Sequence, residues 1–153
     1  MSILGFVIML AIIAYGAIGS GMPLSACIDI PSCIIVVIGS GGGLLMAYGA
    51  QFGAAFKAAF GGSADQSALA AGAAVFRTWK TYSLAWGFIG MGIGWIAMLA
   101  GIGGAGSPVA TAGFLGGIGV SLISPFYGLF FAYGVAHPLA SRCSRRLEAS
   151  AGG

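Results

Sequence analysis

The chain has 153 residues, 59% hydrophobic and 6% charged, with a mean hydropathy of +1.03 and a formal net charge of +3. A soluble domain carries about 25% charged residues, and a chain this short buries only about two-thirds of its surface on folding, so lipid is the solvent that suits it. One histidine and three acidic residues, with no nucleophile–base, metal-ligand or phosphate-loop spacing, argue against an enzyme, a metal site or a cofactor, and no basic cluster with interleaved aromatics points to nucleic acid.

The expected architecture is an all-α integral membrane protein, a single domain over residues 1–153 with four spans. The first apolar run, 3–18, is slightly short for about 20 residues of hydrocarbon. No Lys or Arg precedes it, which favours a retained helix over a signal peptide. Residues 19–31 break the run and contain Asp29, the only acidic residue before Asp65. The second apolar segment is 32–56, with Pro31 suited to its start. Its run Gly41-Gly42-Gly43 marks a close helix contact or a kink.

Residues 57–81 form the connection to the third span. Ser63-Ala64-Asp65-Gln66 reads as a capping box. Leu69, Phe76 and Trp79 share one face, with Arg77 and Lys80 on the other. This describes a short amphipathic cytoplasmic helix, either lying at the membrane surface or simply leading into the next span. The third span is 82–102, where Tyr82, Trp86 and Trp95 act as interfacial anchors or packing groups. After the turn 103–108, the fourth span is 109–140, with Pro125 in its middle and Pro138 at its end. A polar tail, 141–153, follows and is expected to fray at its small residues.

All six basic residues fall on one side of this plan. Lys57, Arg77 and Lys80 lie between spans two and three, and Arg142, Arg145 and Arg146 follow span four. The positive-inside rule then places both termini and the 57–81 connection in the cytoplasm. Cys27, Cys33 and Cys143 fit no metal or redox spacing. They read as free thiols, with a Cys27–Cys33 pairing left open.

The 29 glycines let helices approach closely in lipid. Gly90-x-x-x-Gly94 in span three and Gly113-x-x-x-Gly117 in span four are small-residue seams, serving contacts within one chain or between copies. The hydroxyls of Thr111, Ser121, Ser124 and Tyr127 either line a wet path or bond to carbonyls one turn back. Pro125 removes a backbone hydrogen bond and gives a kink or a hinge. The four expected spans lack buried ionisable side chains, with Asp29 and His137 near opposite ends, so an ion crossing here needs a carrier on another polypeptide. Gly90, Met91, Gly94, Ser121, Ser124, Pro125 and Tyr127 are the candidates to face a pore or partner.

Residues 21–44 (GMPLSACIDIPSCIIVVIGSGGGL), 87–94 (GFIGMGIG) and 121–140 (SLISPFYGLFFAYGVAHPLA) resemble the second, third and fourth helices of flagellar stator A-subunits of the MotA/PomA type. TolQ and ExbB type subunits belong to the same channel superfamily. Tyr127-Gly128, Ala132, Pro138 and Ala140 match the fourth-helix pattern in register, and Asp29 matches the acidic residue near the outer end of the second helix. The resemblance implies a homo-oligomer, commonly a pentamer, ringing B-type subunits. Each B-subunit has a single span with an essential membrane Asp, and the assembly sits in the bacterial inner membrane. Ion flow past that Asp would drive rotation of the ring.

Three departures shape the expectations. The family's third-helix Thr falls on Met91 and its fourth-helix Thr pair on Ser124 and Pro125, which disfavours sodium coupling. The third-helix Pro falls on Leu84. The connection after the second span is about 25 residues, where flagellar stators carry a sizeable rotor-touching domain. Lys57, Arg77 and Lys80 are its candidate cytoplasmic contacts. The functional expectation is an A-type subunit of a proton-driven channel or rotary unit; the alternative is a self-assembling structural membrane protein without transport.

Overall fold

The structure, a computed structural model, describes residues 3–61, 65–102 and 108–151. Every regular element among them is helical: α1 (Ile3–Gly19), a 3-10 turn (Leu24–Cys27), α2 (Ile30–Tyr48), α3 (Gln51–Phe60), α4 (Gln66–Ile102), α5 (Pro108–Ser121), α6 (Ile123–Leu129), a π-helical stretch (Phe130–Ala136) and α7 (His137–Ala151). Three described stretches are long and apolar enough to cross a membrane, Leu24–Tyr48, Gln66–Ala100 and Gly116–Ser150, while the apolar α1 is shorter. The turn at 103–107, and Ser63 and Ala64 of the expected capping box, lie outside the described residues.

Helix starts follow local chemistry. Asp29 caps α2 by accepting the amide hydrogen of Ser32 at 2.9 Å, with Pro31 in the first turn. Asp65 supplies a cap hydrogen bond at the start of α4, accepting from the Ala68 amide at 2.8 Å. Each carboxylate also complements the positive end of its helix dipole.

The apolar segment expected as one helix over 32–56 is two helices. α2 ends at Gly49, whose φ of +52° turns the chain and lets α3 pack back. A side chain strains in that conformation; glycine does not. The α2 helix continues through the run Gly41-Gly42-Gly43. Its contact is with α4: the Trp86 ring occupies the space where a Gly39 side chain would stand, and the Tyr82 ring does the same at Gly43. Tyr82 and Trp86 are packing groups.

α4 is one helix of 37 residues. At 1.5 Å per residue that is about 55 Å, far beyond a hydrocarbon core of about 30 Å. Its N-terminal half therefore projects from the membrane as a continuation of the span. The face carrying Leu69, Phe76 and Trp79 does not lie on a membrane surface. Leu69 and Phe76 are buried and Trp79 is half-buried, and Phe76 and Trp79 pack with side chains of α3 and α7. Phe52, Phe56, Phe76 and Trp79 interlock there with ring centroids 5.2–6.4 Å apart. Leu44, Ala55, Ala59, Val75, Leu139 and Cys143 complete this core. The expected fraying tail is instead helix α7, continuous to Ala151, with Cys143 buried in that core. Arg146 donates to the Ala58 carbonyl at 2.7 Å and Gln66 to the Ser150 carbonyl at 2.9 Å, tying α7 to α3 and α4.

The fourth apolar segment is broken at Leu122, between α5 and α6 and one turn before Pro125. Proline cannot donate to the Ser121 carbonyl, so the ladder is interrupted there. It is disturbed again by the π-helical stretch, a form found mostly in short pieces and often near functional sites. Most of α1 remains exposed, with Ile3 at 81% and Tyr15 at 75%.

Candidate functional site

Small residues set the spacing of α4 against α5 and α6. A Cβ added at Gly128 would stand 2.7 Å from the Ser83 carbonyl oxygen and 3.2 Å from Gly87 Cα. At Gly90 it would stand 2.7 Å from Ser124 Oγ, and at Gly94 3.2 Å from Ser121 Cβ. The two helices thus cross with Gly87 on Gly128, Gly90 on Ser124 and Gly94 on Ser121. The expected Gly90-x-x-x-Gly94 seam is this contact, made within one chain.

Beside the crossing, α2 completes a cleft of about 410 Å³, lined by Asp29, Ser32, Ile35, Gly90, Gly94, Met98, Gly117, Ser121 and Ser124 among others. Ser124, buried, donates to Ser32 Oγ at 2.8 Å and so links α6 to α2. Ser121 donates to the Ile118 carbonyl at 2.8 Å and accepts from Trp95 Nε1 at 2.9 Å. Gly117 of the other expected seam also lines the cleft and takes the Met98 side chain against its backbone. Asp29 is the one ionisable residue of the lining, and its carboxylate is held by the Ser32 amide.

Four of the candidates therefore meet in one place: Gly90, Gly94, Ser121 and Ser124. Met91 is half-buried and outside the lining. Pro125 packs against α4, its Cα 3.2 Å from where a Gly87 Cβ would be. Tyr127 holds the loop before α2, donating to the Cys27 carbonyl at 2.9 Å and accepting from the Asp29 amide at 3.2 Å. Pro138 lies far from the cleft, in a separate groove with Arg145. Lys57 is exposed on α3. Arg77 donates to Ser144 Oγ at 3.1 Å, and the Lys80 ammonium sits 5.2 Å from the Tyr133 ring centre. Ser32, Trp95 and the Gly87–Gly128 pair were not singled out as site residues. Ser32 sits three residues after a capping Asp, and Gly87 is three before Gly90 on the same helix. Both signals are legible in the sequence.

The cleft offers hydroxyls and one carboxylate at its end. A hydroxyl can pass a proton but cannot store one near neutral pH, so these residues form a wall rather than a complete relay.

A bundle of lipid-exposed apolar helices, with a hydroxyl-lined internal cleft and its basic residues gathered at one end, defines an integral membrane protein of the channel type. The chain belongs to the MotA/TolQ/ExbB proton channel family, whose model matches residues 54–152. Its fold is similar to a chain of the flagellar MotAB stator complex from Bacillus subtilis, with a TM-score of 0.71 and 17% identity over 94% of this chain and 82% of that one. No curated protein sequence matches the chain.

Proposed function

We propose that this protein is the A-type subunit of a proton-motive-force-driven channel or rotary unit in a bacterial inner membrane. Copies of it form a ring, by family resemblance a pentamer, around a single-span B-type subunit. The observation that carries this reading is the cleft lined by Gly90, Gly94, Ser121 and Ser124, whose lining has no ionisable residue but Asp29 at its end. A proton crossing along that wall needs a carboxylate in mid-membrane, and a partner helix would bring it.

The driving ion in this proposal is H⁺. Sodium would need a dehydrated cage of several oxygens, and Met91 and Pro125 stand where sodium-type relatives carry hydroxyls. A proton needs only a partner carboxylate and a few waters. The chain is proposed as a short form of the family, with the compact α3 and the projecting half of α4 in place of a larger rotor-facing domain.

The experiment is co-expression with a single-span membrane protein encoded nearby that carries a membrane Asp, followed by reconstitution into liposomes with a trapped pH dye. Proton uptake is expected with both chains present, and is expected to vanish when the partner's Asp becomes Asn. Flux that follows a sodium gradient after the proton gradient is collapsed would overturn the ion assignment. A homo-oligomer that excludes any second chain and passes no ion would overturn the proposal and leave a structural membrane protein.

A further inference from the structure

At the opposite end from Asp29, a second cleft of about 250 Å³ lies between the start of α1 and the α6–α7 rod. Phe6 and Met9 of α1, with Tyr133 and Pro138, give it apolar walls, and Arg145 is the one charged residue of its lining. The contacts that hold α1 here are light: Phe6 meets Phe130 at 6.4 Å between ring centres, and Met9 lies over Gly134. Arg145 is exposed, and Lys80 places its ammonium 5.2 Å from the ring centre of Tyr133, a wall of the cleft.

The charge around this cleft is one-sided. All six basic residues of the chain stand on α3, the projecting half of α4 and α7, against Asp65 and Glu148, and neither carboxylate lines the cleft. Apolar walls reaching into hydrocarbon and a cation at the water level suit one class of occupant. Basic pockets between helices on the cytoplasmic side take anionic head groups, and an aromatic such as Tyr133 marks the interface depth.

We propose that this cleft is a binding site for one anionic phospholipid. Its acyl chains lie along Phe6 and Met9, and its phosphate is held by Arg145 with Lys80 beside it. The lipid fills the gap under α1 and fastens that helix to the rest of the subunit. This reading does not depend on ion conduction.

The test uses the full chain reconstituted in phosphatidylcholine bilayers, probed separately with spin-labelled phosphatidylglycerol and spin-labelled phosphatidylcholine. Electron paramagnetic resonance reads the motionally restricted fraction of each. The wild type is expected to restrict phosphatidylglycerol preferentially. Arg145→Gln should weaken that preference about fivefold, the effect of removing one cation near the surface. Lys57→Gln, which removes an equal charge from an exposed site on α3, should leave it unchanged. Equal restriction of the two lipids by the wild type would overturn the proposal. So would an equal loss in both variants, which would mean a diffuse surface field.

Discussion

The Tyr127 hydroxyl bonds to the backbone on both sides of Ile28, accepting from the Asp29 amide at 3.2 Å and donating to the Cys27 carbonyl at 2.9 Å. One side chain of α6 thereby fixes the loop that delivers the N-cap of α2, and with it the carboxylate at the end of the cleft.

Tyr127→Phe keeps the ring and removes both hydrogen bonds. Each is worth about 0.5–1.5 kcal/mol net, so the loop should open more readily while the bundle stays folded. Amides of residues 24–29 should exchange with solvent faster, and those of α4 should not change. Unchanged exchange in the loop would show that the tether does not hold it.

The helix crossing makes a sharper prediction. A methyl at Gly128 meets the backbone of Ser83 and Gly87, which no rotamer change relieves, whereas one at Gly92 meets nothing within 4 Å. Gly128→Ala should destabilise the bundle by about 1–3 kcal/mol, the usual range for overpacking, and Gly92→Ala should be neutral. Unfolding in mixed detergent micelles measures both. Equal stability of the two variants would mean that α4 and α6 do not cross where described.

Arg146 donates at 2.7 Å to the carbonyl of Ala58, which lies in the last turn of α3. Arg146→Gln should loosen the packing of α3 on α7 by about 1.5 kcal/mol, near the lower bound for a hydrogen bond to a charged group because the side chain is half exposed. Faster hydrogen exchange confined to α3 and the end of α7 would report this. An effect spread over the whole bundle would not fit.

With the basic residues inside, a Cys placed at Gly104 should react with an impermeant maleimide in intact cells, and one at Asp65 should not. The background must lack Cys27, Cys33 and Cys143. The reverse pattern would overturn the charge argument.

Among the described residues, the connection between α2 and α4 holds only the ten-residue α3, and Arg77 and Lys80 are engaged with Ser144 and Tyr133. The chain with its B-type partner is therefore expected not to restore swimming in cells that lack stators. Restored swimming that is lost in Arg77→Glu would support a minimal stator instead.

Sequence alone determined the solvent and the main seam. Charged residues at 6% leave no water-soluble option. The spacing of Gly90 and Gly94 marks a face that must meet another backbone, whatever that backbone is, because small residues at that interval have no other packing use in lipid. The clustering of Arg and Lys at one end was legible for the same reason: the cost of charge in hydrocarbon is a property of each residue.

Tertiary structure decided what those faces meet. An apolar face reads alike whether lipid or protein covers it. Only the return of α3 at Gly49 and the helical continuation of α7 show that Phe76 and Cys143 share one protein core. Ser32 and Ser124 are 92 residues apart, and nothing local to either announces the other. Their hydrogen bond exists because Gly90 lets α6 come close enough to α4 for α2 to reach both.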